Sequence, residues 1–206
     1  ITRRDWSSDV CSSDLDDGKL TGYITDGEGF VNNLKDHGID IKGRKITVAG
    51  GGGAATAIQV QCALDGAREI TIFNKKDDFF ERTLETAEKI RKAVPECVVN
   101  VYDIDDVAKM TEEINTSDIF ANATIVGMKP LDDQSVVKDT SAFRPGLVVA
   151  DAVYNPQETK LLREAKEAGC TCIGGKGMLL WQGVAAFKLY TGQDMPVDEV
   201  KELYFK

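Results

Sequence analysis

Four consecutive glycines, Gly50, Gly51, Gly52 and Gly53, follow the β-branched run Ile46-Thr47-Val48 and lead straight into Ala54-Ala55-Thr56-Ala57-Ile58. A strand that turns on glycine into a helix can cradle a diphosphate. The turn needs glycine backbone angles, close approach of the phosphates tolerates no Cβ, and the free N–H groups of the helix start face the anion with the helix dipole behind them. The spacing departs from G-x-G-x-x-G in placing Ala55 at the third position, a substitution that the fingerprint allows. A second apolar run, Glu69-Ile-Thr-Ile-Phe73, ends in Asn74-Lys75-Lys76-Asp77. That polar cluster lies about 20 residues beyond the turn, where an acid or a base meets the adenosine ribose of a dinucleotide.

Other chemistries find few residues to work with. The single histidine, His37, sits in Lys35-Asp36-His37-Gly38, a helix C-terminus where a cation suits the dipole. One histidine in that setting argues against a zinc site and against a Ser–His–Asp triad, and no metal is expected. Proton transfer must then use carboxylates, Lys or Tyr. Five cysteines (Cys11, Cys62, Cys97, Cys170, Cys172) form no CxxC pair and read as reduced thiols of a cytoplasmic protein.

The elements that would position the glycine turn alternate regularly. Gly18 to Ile24 is an extended or hairpin-like lead-in. Asp26 opens a helix to His37, stopped by Gly38, and Ala54 to Leu64 is a helix stopped by Gly66. Phe79 to Ala93 repeats apolar residues at helical spacing (Phe80, Leu84, Ala87, Ile90) before Pro95. Strands are predicted at 98–101, 118–122, 146–151 and 170–173, and helices at 106–114, 156–168, 177–190 and 196–203. Strands alternating with helices over short connections predict an α/β fold with a doubly wound, mostly parallel sheet. In such sheets the ligand crevice lies at the carboxyl ends of the strands, where Asn74–Asp77, Asn122–Thr124 and Asp151–Asn155 fall.

Composition agrees with a small-molecule enzyme. The 206 residues are 42% hydrophobic and 29% charged, an ordinary globular balance. A net charge of −9 and pI near 4.7 disfavour nucleic acid and anionic membrane as partners. No apolar run is long enough to span a bilayer, and the N-terminus has no hydrophobic stretch of a signal peptide. Residues 1–15 fit none of this. Arg4-Asp-Trp-Ser-Ser-Asp-Val-Cys-Ser-Ser-Asp-Leu15 has no hydrophobic period, and its back-translation looks like a short-read library adapter. The expectation is a non-native, irregular tail, with protein-coding sequence beginning near Asp16 and residues 16–206 forming one dinucleotide-binding domain.

Five motifs in order resemble the cofactor-binding half of the shikimate dehydrogenase family: Gly22-Tyr-Ile-Thr-Asp26-Gly-Glu-Gly-Phe30, the glycine turn, Asn122-Ala-Thr-Ile-Val-Gly127-Met128, Asp151-Ala-Val-Tyr154-Asn-Pro156 and Gly177-Met-Leu-Leu-Trp-Gln182-Gly183. Asn74-Lys-Lys-Asp77-Asp-Phe-Phe80 is more similar to the quinate/shikimate dehydrogenase branch, which uses NAD or NADP. The resemblance implies a Rossmann-like domain and reversible hydride transfer between the nicotinamide and the ring alcohol or ketone of shikimate or quinate. It implies that Asp26 shares the alcohol proton with a Lys, and that Asp26, Gln182 and Tyr154 contact substrate. Bare sequence offers a second role for Asp26, as a helix N-cap. The implied cofactor site comprises Gly50 to Gly53, Ala54, Asn74, Lys75, Lys76, Asp77, Asn122, Ala152, Val153, Tyr154, Asn155, Gly175 and Met178.

Two departures stand in the motifs: Ile24 replaces the usual Asn, and Gly174 the usual Asp. The family's N-terminal substrate domain, which carries the paired Lys, has no counterpart here, so residues 16–40 and 192–206 are expected to pack towards it, and the chain alone is expected to be inactive. The implied partners are the small-molecule substrate and, optionally, a second subunit in a homodimer. Two other readings remain open. One is a stand-alone dinucleotide-binding module without catalysis. The other is the related fold that oxidises methylene-tetrahydrofolate, which Asp26 and Gln182 disfavour.

Overall fold

The structure, a computed structural model, describes residues 12–16, 19–77 and 80–205. Eight strands and seven α-helices follow one another within them. Six strands form the parallel sheet: β3 (Lys45–Ala49), β4 (Glu69–Asn74), β5 (Val98–Asp103), β6 (Ile119–Asn122), β7 (Val148–Asp151) and β8 (Thr171–Ile173), in the spatial order β5-β4-β3-β6-β7-β8. Register is set by pairs such as Val48 with Ile72 and with Ala121. The chain starts at the centre with β3, winds outward to β5, then returns to wind the other way from β6. This is the doubly wound α/β arrangement, and its switch point lies between β3 and β6.

Alternate residues of each strand enter opposite cores, because successive side chains of a strand point to opposite faces. Ile46, Val48, Ile70, Ile72, Ile119 and Ala121 join a core with Phe30, Leu34, Ile58 and Met178. That core is capped by α1 (Asp26–Asp36), α2 (Gly53–Leu64), α3 (Phe80–Ala93) and α6 (Gly175–Thr191). Phe73, Phe120 and Val149 face the other core with Met110, Ile114, Leu161 and Leu162, from α4 (Val107–Thr116) and α5 (Lys160–Glu167). The last helix, α7 (Val197–Tyr204), has no buried residue. Lys201 ties it to α1 by bonding Asp36 at 2.6 Å and lies over the Trp181 ring at 5.3 Å.

The amino ends of the strands are stitched by charge. The Lys45 ammonium bonds Glu113 at 2.8 Å, Glu69 at 3.0 Å and Thr116 at 2.9 Å, and Lys109 bonds Glu113 at 2.8 Å. Burial pulls the Lys45 ammonium down and pushes the Glu113 carboxyl up. The bonds win: Glu113 and Glu69 hold Lys45 above its ordinary value, and Lys109 and Lys45 hold Glu113 below its own.

The structure departs from the predicted elements in places. The α5 helix begins at Lys160 rather than near Pro156, because the Thr159 hydroxyl caps it by accepting from the Leu162 amide. Residues 123–146 between β6 and β7 hold only a single 3-10 turn, Thr140–Ala142. The expected irregular tail differs too: Ser12–Asp16 forms strand β1, paired antiparallel with β2 (Lys19–Tyr23) in a separate two-stranded ladder. Residues 1–11, including Trp6, lie outside the described residues, as does Phe79.

Candidate functional site

At the carboxyl end of β3 the chain must turn sharply beneath two neighbours. Gly50 adopts φ +124, a conformation that side chains rarely tolerate, and a Cβ there would stand 2.7 Å from the Ala123 carbonyl oxygen. Its amide donates to the Phe73 carbonyl at 2.7 Å and its carbonyl accepts from Gln59 Nε2 at 3.0 Å, so the turn is fixed to β4 and α2. Gly51 is equally confined: its Cβ would fall 2.4 Å from Asn74 Nδ2 and from Thr83 Oγ1. Gly52 is different. It has φ −78 and ψ −174, and a Cβ on it would meet nothing within 4 Å.

The α2 helix then begins at Gly53 without a side-chain cap or an acid in its first turn. Its first N–H groups therefore have no side-chain carboxylate of their own to satisfy them, the condition for receiving an anion. Gly52, Gly53 and Ala54 form one wall of a cleft of about 550 Å³, a size suited to a cofactor. Opposite them stand Ala123, Thr124, Ile125, Met128, Lys129 and Asp132 after β6, and Ala152 to Pro156 after β7. Tyr154 projects here and is 54% exposed.

The predicted cofactor residues divide into three groups. Gly52, Gly53, Ala54, Ala152, Val153, Tyr154 and Asn155 line the cleft directly. Asn74 closes the side of the glycine turn, where its Nδ2 donates to Thr83 Oγ1 at 2.9 Å, and Lys75, Lys76 and Asp77 continue from it as an exposed polar edge. Asn122, Gly175 and Met178 stand behind the walls. Asn122 is 1% exposed and its amide is engaged with Val126, Asp151 and Thr124. Gly175 lies so close to the Ala152 carbonyl that a Cβ would come within 2.4 Å of it, and Met178 is a core residue at 6% exposure.

The two other candidates for chemistry sit together on α1 and α6. Asp26 is the first residue of α1, and Thr25 occupies the cap position, so Asp26 is not the N-cap that bare sequence allowed. Glycines bring α1 close to both neighbours. A Cβ on Gly27 would stand 2.4 Å from the Ala57 carbonyl oxygen of α2, and one on Gly29 would stand 2.7 Å from the Gln182 amide nitrogen of α6. Gly29, three residues after Asp26, thereby lies against Gln182.

Sequence reasoning placed Thr124 at the crevice but missed Ile125, Lys129 and Asp132 as cleft residues. The irregular segment carrying these three has no period to betray it. Among the described residues, no cluster of His, Cys, Asp and Glu could hold a metal ion, and no helix is long and apolar enough to cross a membrane.

Known proteins share this arrangement. The sequence profile of the shikimate 5'-dehydrogenase C-terminal domain matches residues 175–203. Shikimate dehydrogenase (NADP(+)) of Listeria monocytogenes is 50% identical over 190 residues, which are 92% of this chain and 65% of that enzyme. The crystal structure of shikimate 5-dehydrogenase from Listeria monocytogenes in complex with shikimate and NAD matches with a TM-score of 0.90 and 48% identity, over 94% of this chain and 67% of that one. Quinate dehydrogenase from Corynebacterium glutamicum in complex with NAD matches with a TM-score of 0.82 and 28% identity, over 95% and 67%. The chain thus spans about two thirds of the length of the relatives it matches. On the identity, the ordered motifs and the shared fold, the chain belongs to the shikimate dehydrogenase family.

Proposed function

We propose that this chain is the cofactor-binding half of an NAD(P)-dependent quinate/shikimate dehydrogenase. The observation that carries the reading is the glycine turn: two glycines are locked against neighbouring backbone and side chains, while Gly52 faces open space in the cleft at the switch point of the sheet. Gly50 to Gly53 and Ala54 would hold the diphosphate, and Asn74, Lys75, Lys76 and Asp77 the adenosine ribose. Ala152 to Asn155 would flank the nicotinamide, with Asn122, Gly175 and Met178 supporting that wall from behind. The bound nicotinamide supplies or accepts the hydride.

The chain's own residues then serve the substrate. Asp26, partly buried at the helix start, would orient the ring alcohol and hold a Lys of the remaining third of the enzyme against it. Gln182 and Tyr154 would hydrogen-bond the ring hydroxyls. Without that Lys and the substrate grip of the remaining third, the chain binds cofactor and does not turn over. The similar enzymes whose structures are complexes with shikimate and NAD, or with NAD, support both halves of this reading.

Titration of NADH and NADPH fluorescence against the chain tests it, followed by assays with shikimate and quinate. Saturable binding without turnover is the expected result. Failure to bind either dinucleotide would overturn the reading, and robust turnover would overturn the assignment of the proton-transfer Lys to another part of the enzyme.

A further inference from the structure

The two loops facing Gly52 across the cleft are joined beneath its floor by one buried carboxylate. Asp151, the last residue of β7, is 2% exposed. It receives three donors from three separate pieces of chain: Asn122 Nδ2 at 2.9 Å, the Val153 amide at 3.0 Å and Thr159 Oγ1 at 2.6 Å. Asn122 and Asp151 are register partners across β6 and β7, so this bond extends the ladder by one side-chain rung.

Asn122 carries the connection onward. Its Nδ2 also donates to the Val126 carbonyl at 3.0 Å, and its Oδ1 accepts from the amide and the hydroxyl of Thr124 at 3.1 and 2.7 Å. The Thr124 hydroxyl in turn accepts from the Val126 amide at 3.1 Å. On the other side, Thr159 caps α5 and its methyl lies against Gly127, where an added Cβ would stand 3.2 Å away. All three donors on the carboxylate, the Asn122 amide, the Val153 N–H and the Thr159 hydroxyl, are neutral. Burial pushes the Asp151 carboxyl up against the downward pull of the Thr159, Val153 and Asn122 bonds. Burial outweighs those bonds and leaves the carboxyl above its ordinary value.

We infer that Asp151 is a positioning residue of the cofactor cleft: through Oδ1 it fixes loop 122–128 against loop 151–156, and so sets the wall that faces the glycine turn. The inference rests on the dinucleotide reading above. The two oxygens divide the work. Oδ1 receives the two loops, and Oδ2 receives only the cap of α5. A purely structural role would make the two arms equivalent for binding, whereas a positioning role makes Oδ1 the one that matters.

Asn at this position can keep the Oδ1 bonds and turn its Nδ2 towards the Thr159 hydroxyl, which is able to accept. Ala removes both arms, and Thr159→Val removes the Oδ2 arm alone. Leu147 is fully buried just before β7, at the end of the sheet away from the cleft, and Leu147→Ala supplies destabilisation without touching the loops. NADH titration and thermal melting of the whole chain are read together. Asp151→Ala should weaken NADH by about tenfold or more, the scale of a lost bond to a charged group, and Asp151→Asn should recover it to within roughly threefold. Thr159→Val and Leu147→Ala should lower the melting temperature but hold NADH affinity within roughly threefold.

If Asp151→Ala does not fold, Asn122→Ala, which cuts the Oδ1 arm from the other side, carries the same expected loss. Unchanged affinity in that variant or in Asp151→Ala would overturn the inference while leaving the cofactor reading intact. So would an equal loss in Leu147→Ala. An unsubstituted chain that binds no dinucleotide would overturn both.

Discussion

Gly52→Ala separates the fold from the ligand at a single atom. The backbone of Gly52 is extended, at φ −78 and ψ −174, a conformation open to any residue, and the added methyl would meet nothing within 4 Å. Two small terms then act on stability. Alanine removes unfolded-state freedom, worth about 0.4–1 kcal/mol, and is the poorer residue at the cap position by a similar amount. They oppose one another, so the melting temperature should move by less than roughly 4 °C. The ligand meets a different situation, because the methyl projects into the space where the turn should approach a diphosphate. Displacing one N–H bond to a phosphate oxygen removes about 1.5–3 kcal/mol, or roughly 10- to 150-fold in affinity. Gly51→Ala is the matched comparison: its methyl would fall 2.4 Å from Asn74 and Thr83, an overlap expected to cost about 1–3 kcal/mol of stability. NADH titration and melting curves on the same preparations read both quantities. A Gly52→Ala chain that binds NADH as tightly as the unsubstituted one would refute the placement of the diphosphate on this turn.

Replacing Asp77 with Ala should weaken NAD more than NADP, because a carboxylate accepts from ribose hydroxyls and repels a 2′-phosphate that Lys75 or Lys76 can pair with; equal weakening of both in parallel titrations would reduce Asp77 to a structural role. In a complete enzyme containing this chain, Asp26→Asn should lower turnover by roughly two or more orders of magnitude while cofactor affinity and melting temperature change little. Near-normal steady-state rates would remove Asp26 from the chemistry. At the other end of the sheet, Glu113→Gln should cost about 3 kcal/mol at pH 7, since it leaves the Lys45 ammonium with Glu69 as its one carboxylate partner in a largely buried place. The Glu113 carboxyl is held below its ordinary 4.5, so its stabilisation is complete above that value and is lost as pH falls through the lower folded value. The unsubstituted chain should therefore lose stability more steeply below about pH 4.5 than Glu113→Gln, and parallel acid limbs in urea titrations would contradict this.

What the sequence made legible follows the physics of repetition. Ile46, Val48, Ile70 and Ile72 announce buried strands because β-branched residues recur at the strand's period of two on one buried face, and Ala87 and Ile90 announce a helix because burial repeats with its turn. The glycine turn was legible for another reason: close approach forbids a Cβ at Gly50 and Gly51, and that prohibition is written as residue type. The opposite wall obeys neither rule. Lys129 and Asp132 lie in a segment without repeating structure, and each is a residue type found on any surface. The role of Asp151 escaped for a deeper reason. Asn122, Asp151 and Thr159 are polar residues far apart in the chain, and nothing local distinguishes them from turn formers. They become one network only after β6 and β7 pair with Asn122 opposite Asp151 and α5 returns Thr159 to the same point. Sequence can thus display the half of a site whose constraint is steric and local. The half whose constraint is a shared hydrogen-bond acceptor has to wait for the register that creates it.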